Sequence, residues 1–153
     1  MSLDMEHVHA VMREADCLHP QAEVEAAITR MAGEISAQLR DRNPIVFSVM
    51  NGGLIFAGQL LTQLDFPMEL SYLHATRYRN ETSGGELFWK AKPELSIRDR
   101  DVLIIDDIFD EGHTLAAIVD YCRHMGARAV YSAVLWNKVH ERKIQRDFRP
   151  DFV

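Results

Sequence analysis

The stretch VLIIDDIFDEGHTL, residues 102–115, constrains the fold more than any other part of the sequence. Four aliphatic residues lead into two adjacent aspartates, and a third aspartate, a glutamate, a glycine and a threonine follow. A short aliphatic run of this kind is typical of a strand that is buried on both faces in a parallel sheet. Ligands of such sheets bind beyond the carboxyl ends of the strands. We therefore predict a strand over residues 102–106 and a ligand-binding acidic loop over residues 106–113.

The rest of the chain alternates predicted helices with predicted strands. Apolar residues spaced by three and four predict helices over residues 21–40, 54–64 and 114–125. Short apolar runs predict strands over residues 45–50, 68–78, 86–90, 102–106 and 129–136, and residues 149–153 enter a further strand. The polar segment 79–85 is predicted to be a mobile loop. This alternation favours an α/β fold, a mostly parallel twisted sheet flanked by helices.

Length and charge limit the classes of function. A chain of 153 residues is predicted to form one domain, residues 1–153. The formal net charge of −6 argues against a nucleic-acid partner, because phosphate backbones attract clustered Lys and Arg. The two cysteines lack a CxxC pattern, and no apolar run is long enough for a membrane span, so we expect a cytoplasmic protein. Six of the seven histidines show no zinc-ligand spacing and are expected on the surface: His7, His9, His19, His74, His124 and His140.

The residues after the predicted acidic strand have the properties of an anion site. Gly112 permits backbone geometry that other residues avoid, and Thr114 is a suitable N-cap for the next helix. The N–H groups from Glu111 to Thr114 can then converge on one anion, supported by the helix dipole. Asp106 and Asp107 would stand beside that anion. Such a site suits a ligand with a phosphate, hydroxyls and a divalent cation, as a sugar phosphate offers.

The same stretch resembles the signature of type I phosphoribosyltransferases, the segment that holds phosphoribosyl pyrophosphate (PRPP). The shared pattern is four hydrophobic residues, two acids, two hydrophobic residues, then Asp-x-Gly-x-Thr. Other segments resemble the bacterial hypoxanthine-guanine branch in chain order. Residues 49–53 resemble its pyrophosphate loop, 77–85 the start of its lid, 135–142 its purine-binding strand end, and 149–153 the strand that follows. The resemblance covers roughly the last three quarters of the chain.

The resemblance implies roles for the acidic stretch. Asp106 and Asp107 would bind the ribose hydroxyls and contact Mg²⁺, directly or through water. Asp110 would be the catalytic residue, exchanging a proton at purine N7. The segment that would hold the 5′-phosphate consists of Asp110, Glu111, Gly112, His113 and Thr114. Glu111 departs from the usual threonine, and it would repel a phosphate unless its side chain turns away and only its N–H is used.

The other segments gain roles in the same way. Lys138 would donate to the purine 6-oxo group, and Arg142 would lie on the pyrophosphate side. The pyrophosphate loop, which works through its backbone, would consist of Met50, Asn51 and Gly52, with a cis peptide at Met50–Asn51. Arg77 and Tyr78 would belong to the lid.

The implied activity is purine salvage, in which PRPP and a 6-oxopurine give a nucleotide and pyrophosphate. The resemblance also implies a homodimer or homotetramer and a small hood. Residues 1–19 would form part of the hood, and the rest would follow residue 153, so we expect the chain to be truncated there. The alternatives are a regulatory or RNA-binding protein of the same fold that binds PRPP, a phosphoribosyltransferase for another base, and a phosphoacceptor receiver domain.

Overall fold

The computed structural model describes residues 4–77, 87–141 and 148–153, without the side chains of Arg77 and Leu87. In these ranges the helices are α1 (Met5–Glu14), α2 (Gln21–Leu39), α3 (Gly53–Leu61) and α4 (His113–His124). The strands are β1 (Ile45–Val49), β2 (Glu69–Arg77), β3 (Leu87–Ala91), β4 (Asp101–Phe109) and β5 (Ala129–Asn137). None of these helices is long and apolar enough to cross a bilayer. Tyr78, residues 79–85 and Arg142 lie outside the described residues.

The five strands form one sheet in the order β3-β2-β1-β4-β5. β1 pairs in parallel with both β2 and β4, and β4 pairs in parallel with β5. Only the edge strand β3 is antiparallel to its neighbour among these pairs. The structure therefore confirms the predicted α/β fold with a mostly parallel sheet.

The strand order reverses between β1 and β4. After β1 the chain passes through α3 to β2 on one side, whereas after β4 it passes through α4 to β5 on the other side. Loops that leave neighbouring strands in opposite directions open a crevice at the carboxyl ends of those strands. The crevice lies between residues 50–52 and residues 110–112, so the topology brings two of the predicted binding segments together.

Two apolar layers cover the faces of the sheet. Val46 and Leu103 pack with α2 and α3 on one face, and Phe47 and Ile104 pack with α4 on the other. All four side chains are fully buried, and each such burial contributes roughly 1.5–3 kcal/mol. The central strands are thus apolar on both faces, which is why residues 102–105 read as a continuous aliphatic run.

β4 is longer than the sequence predicts. It begins at Asp101 and continues to Phe109, because its pairing with β5 extends through Ile108↔Trp136 and Phe109↔Asn137. The prediction that the strand ends at Asp106 and a loop begins there is wrong. Asp106 and Asp107 lie inside the strand, where consecutive side chains point to opposite faces.

The N-terminal helix α1 is absent from the prediction. Asp4 caps it, because its carboxylate accepts the N–H groups of Glu6 and His7 at 3.0 and 3.5 Å. Met5, Val8 and Met12 recur along α1 at spacings of three and four, although no residue of this helix is buried.

The last residues of the chain lie beside β5. Phe152 is buried and forms a parallel bridge with Ala133. The carboxylate of Asp151 accepts hydrogen bonds from the backbone N–H and hydroxyl of Ser132 at 2.8 and 3.0 Å. The prediction that residues 149–153 enter another strand is confirmed by this pairing.

An ionic cluster lies at the other end of the sheet, away from the crevice. Asp101, at the start of β4, is fully buried and accepts two hydrogen bonds from Arg128 at 2.9 and 2.6 Å. Arg42 approaches the same carboxylate at 3.5 Å. These contacts, with the Arg128 hydrogen bonds first, lower the pKa of Asp101. The cluster connects the starts of β4 and β5 to the segment after α2.

Candidate active site

The loop after β1 packs directly against β4. The Met50–Asn51 peptide bond is cis, as predicted, and the Met50 N–H donates to the Leu73 carbonyl at 2.8 Å. A Cβ on Gly52 would lie 2.7 Å from both carboxylate oxygens of Asp107. A Cβ on Gly53 would lie 2.7 Å from the carbonyl oxygen of Ile105. A side chain at position 53 would therefore meet the backbone of β4, and one at position 52 would displace the Asp107 carboxylate. This close approach places the predicted pyrophosphate loop beside an acid of β4.

Asp106 and Asp107 differ in their surroundings although they are adjacent. The Asp107 N–H donates to Asp106 Oδ1 at 3.0 Å, and the Asp107 carboxylate lies on the α3 side, against Gly52. Burial raises the pKa of Asp106 to about 7, and the negative charge of Asp107 adds to this effect. A ligand hydroxyl or cation at this carboxylate would favour its ionised form.

The segment after β4 turns sharply into α4. Gly112 adopts φ +86°, and a Cβ there would collide with the ring of Phe109. Because Gly112 is the N-cap and α4 begins at His113, the prediction that Thr114 is the N-cap is wrong. The left-handed glycine starts the helix earlier and places Thr114 in its first turn. The first N–H groups of α4 have no acceptor within the helix, and they favour an anion.

The side chains of Glu111 and His113 contact each other beside this helix start. His113 Nε2 lies 3.6 Å from Glu111 Oε2, and the Glu111 side chain is about half exposed. The imidazole of His113 therefore lies next to the Glu111 carboxylate, a charge for which the sequence offered no role.

Asp110 follows β4, and its side chain contacts two residues that follow β5. Lys138 Nζ donates to its Oδ2 at 3.2 Å, and His140 Nε2 lies 2.7 Å from its Oδ1. The Lys138 backbone N–H also donates to the carbonyl of Phe109 at 3.1 Å, which attaches the segment after β5 to the end of β4. The hydrogen bond from His140, followed by that from Lys138, lowers the pKa of Asp110.

His140 was not predicted to belong to this site. The expectation of a surface histidine is wrong, since its side chain is only 19% exposed and contacts Asp110. A signal was available in the sequence: His140 follows Lys138 by two positions, and such residues share a face in extended chain.

The acids at the crevice fit a magnesium ion that is bound together with a substrate. Among the described residues, no group of three or more His, Cys, Asp or Glu side chains could hold a metal alone. Mg²⁺ usually takes one or two carboxylates plus substrate phosphates, keeping several waters. Asp107 supplies a carboxylate of this kind beside the loop at Gly52, and Asp106 supplies a second one at the adjacent position of β4.

Comparison with known proteins decides the family. A model of the phosphoribosyl transferase domain matches residues 14–150. The chain belongs to the phosphoribosyltransferase family. The family predicted from residues 102–115 is thereby confirmed, and the receiver-domain alternative is excluded.

Individual relatives of this phosphoribosyltransferase agree with the family model. The chain is 30% identical to a hypoxanthine-guanine phosphoribosyltransferase of Bacillus subtilis, over 87% of this chain and 73% of the relative. It is 33% identical to the bifunctional protein TilS/HprT of Listeria innocua, over 80% of this chain, and spans only 19% of that longer protein. A solved hypoxanthine-guanine phosphoribosyltransferase of Bacillus anthracis superposes with a TM-score of 0.82 at 22% identity, covering 90% and 81% of the two chains. That last likeness shows the shared fold.

Proposed function

We propose that the protein is a purine-salvage enzyme that transfers the phosphoribosyl group of PRPP to hypoxanthine or guanine. The products are IMP or GMP and pyrophosphate. The observation that carries this proposal is the contact between Lys138 and Asp110 beside the start of α4. It combines a donor for a 6-oxo group, a proton acceptor and an anion site at one edge of the sheet.

The crevice provides separate contacts for the parts of PRPP. The backbone from Asp110 to Thr114 would bind the 5′-phosphate, because the first N–H groups and the dipole of α4 favour a dianion. The carboxylates of Asp106 and Asp107 would accept hydrogen bonds from the ribose hydroxyls. The backbone of Met50, Asn51 and Gly52 would face the pyrophosphate, as the close packing of Gly52 on β4 supports.

The purine would bind between the start of α4 and the end of β5. The Lys138 ammonium donates to an oxo group at the 6-position, whereas the amino group of adenine offers it no acceptor. As N9 attacks C1′ of the ribose and the bond to pyrophosphate breaks, the purine must lose a proton. Asp110 is a carboxylate at neutral pH, as its lowered pKa ensures, and would accept that proton at N7.

Charge at the ribosyl centre would be stabilised by fixed groups of the crevice. The bond to pyrophosphate breaks through an oxocarbenium-like centre, and nearby carboxylates stabilise such positive charge. Asp106 and Asp107 would hold Mg²⁺ directly or through water. The ion, when bound, offsets the charge of the leaving pyrophosphate. Arg142 on the pyrophosphate side and Arg77 and Tyr78 in the lid complete the proposed set.

The chain is also proposed to form one domain over residues 1–153, with residues 1–19 in a hood above the purine. The ring of His19 lies 4.9 Å from that of Trp136, near the end of β5, which supports this location. The free cysteines, Cys17 exposed and Cys122 buried, suit the proposed cytoplasmic setting.

We further propose that the protein assembles as a homodimer or homotetramer. The exposed apolar side chains of Leu54 and Ile55 on α3 and of Leu70 and Tyr72 on β2 support this, because monomers rarely expose such residues together. Light scattering coupled to gel filtration measures the assembly, and a monomeric mass at micromolar concentration would contradict it.

Nucleotide formation tests the proposed activity. The protein is incubated with PRPP, Mg²⁺ and hypoxanthine, guanine, adenine, orotate or uracil in turn, and products are separated by chromatography. We expect IMP and GMP with equimolar pyrophosphate. Nucleotide from adenine or a pyrimidine alone would favour a transferase for another base, and no nucleotide together with RNA binding at low salt would favour the regulatory alternative.

A further inference from the structure

The two oxygens of the Asp110 carboxylate are held by two different side chains. His140 contacts Oδ1 at 2.7 Å, and Lys138 contacts Oδ2 at 3.2 Å. An ionised carboxylate only accepts hydrogen bonds, so the His140 ring must carry its hydrogen on Nε2. The shorter contact belongs to the histidine.

The two partners of Asp110 differ in how far they are enclosed. The side chain of Lys138 is 55% exposed, whereas that of His140 is 19% exposed. A long, exposed lysine changes rotamer easily, and a largely enclosed imidazole does not. Lys138 is therefore the partner that can leave the carboxylate when a ligand arrives.

The proposed reaction requires that departure. Lys138 cannot donate fully to the purine 6-oxo group while it is bound to Asp110, and Oδ2 cannot face the purine while it accepts from Lys138. Once Lys138 has turned, a carboxylate held by nothing else would rotate freely about its side-chain torsions. Catalysis by a general base depends on hydrogen-bond geometry to the proton that it removes.

We propose that His140 is a positioning residue that holds Oδ1 of Asp110 while Lys138 moves from Oδ2 to the purine oxygen. Oδ2 is thereby turned toward the N7 proton. The inference rests on the proposed function and adds to it a residue outside the PRPP signature. It also assigns a role to the hydrogen bond between Lys138 and Asp110, since that bond would orient both groups before the purine binds.

The contact with His140 also controls the ionisation of Asp110. His140 is the first cause of its lowered pKa, and Lys138 is the second. Among the described residues, these are the charged or titratable groups that hydrogen-bond to Asp110, and Glu111 adjoins it in the chain. Removal of His140 raises the pKa of Asp110, so the acid limb of the kcat profile, which reports the substrate complex, moves to higher pH.

The test compares His140→Ala, His140→Gln and the control His124→Ala. His124 is the last residue of α4 and is exposed, and its Nδ1 lies 2.7 Å from the Asp120 carbonyl of the same helix. The kcat and KM for PRPP and hypoxanthine are measured from about pH 3 to 8, a range that includes the ordinary carboxyl pKa of about 3.9. Glutamine keeps an N–H donor on a side chain of similar reach and serves as the conservative rescue.

We expect His140→Ala to lower kcat on the order of 10- to 100-fold, the usual scale for a hydrogen bond to a charged group, with little change in KM for PRPP. Its acid limb moves to higher pH, and His140→Gln recovers part of kcat. Kinetics of His140→Ala equal to those of His124→Ala would overturn the inference. An equal loss with Gln and Ala and an unmoved acid limb would also overturn it, because that pattern indicates a structural role.

A measurement without substrate separates this inference from the proposed function. NMR titration of the Asp110 carboxyl carbon in unliganded protein should show a pKa below the usual range, rising in His140→Ala. An unchanged pKa refutes the contact itself. If wild-type protein with the predicted titration forms no nucleotide, the proposed function and the positioning role fail together while the contact stands.

Discussion

Gly52 joins the loop after β1 to the carboxylate of Asp107, and its replacement by alanine tests that contact. The backbone at Gly52 is right-handed helical, with φ −57° and ψ −47°, so alanine fits the conformation without strain. The new Cβ would lie 2.7 Å from both Asp107 oxygens, where ordinary contacts begin at 3.4 Å. The carboxylate must therefore move by roughly half an ångström or more.

The expected effects on stability nearly cancel. Forcing Asp107 off its rotamer costs about 0.5–1.5 kcal/mol, while a compatible Gly→Ala change stabilises by about 0.4–1 kcal/mol. Activity should not be spared in the same way, because a misplacement of about 1 Å lowers turnover about 100-fold. We expect Gly52→Ala to lower kcat/KM for PRPP about 10-fold or more with an unfolding free energy within about 1 kcal/mol of wild type.

The control for this experiment is Gly33→Ala in α2, where a new Cβ would have no atom within 4 Å. This variant should gain about 0.5–1 kcal/mol of stability and keep wild-type kinetics. Urea unfolding and initial rates provide the two measurements. In an Asp107→Ala background, Gly52→Ala should also become stabilising, because its obstacle is gone. The reasoning is refuted if Gly52→Ala and Gly33→Ala behave alike, or if the effect of Gly52→Ala on stability is independent of Asp107.

Three further substitutions probe the site and the fold. Asp110→Asn should lower turnover by about 10²–10⁴-fold in initial-rate assays and leave the Kd for PRPP nearly unchanged, with lost PRPP binding counting against the assigned role. Lys138→Ala should raise KM for hypoxanthine about 10- to 100-fold, and an unaltered KM would contradict the contact to the oxo group. Asp101→Asn should lower the unfolding free energy by about 3 kcal/mol at pH 7. This value is the lower end of the range for breaking a buried ion pair, because Arg128 is half exposed. The pKa of Asp101 is lowered in the folded protein, so the stability difference between wild type and Asp101→Asn is fully present above pH about 3.8. Measured by urea unfolding, it should shrink as pH falls through the folded pKa, and a difference that stays constant would refute this.

The sequence predicted the parts of the fold that depend on long apolar patterns. Helix α2 matches its predicted range to within one residue, since Ile28, Met31 and Ile35 form an apolar stripe that is buried. The end of β4 was predicted too early because Asp106 and Asp107 are polar. Tertiary pairing with β5 extends the strand through them, and local polarity carries no information about that pairing.

The candidate site was predictable to the extent that it is contiguous in the chain. Residues 106–114 form one motif, and their proximity to each other follows from the sequence alone. The contact of Gly52 with Asp107 and that of His140 with Asp110 join segments that are distant in the chain. Each depends on the strand order β1-β4-β5, which neighbouring residues do not encode.

The central claim is that the edge formed by Asp110 and Lys138 selects and activates a 6-oxopurine for attack on PRPP. The most direct measurement is the ratio of kcat/KM for hypoxanthine or guanine to that for adenine, with saturating PRPP and Mg²⁺. A site built to bond a particular polar group discriminates by about 10⁴-fold or more. The account predicts a ratio of that order that falls sharply in Lys138→Ala. A ratio near or below one in the wild-type protein, or one that Lys138→Ala leaves unchanged, would contradict it.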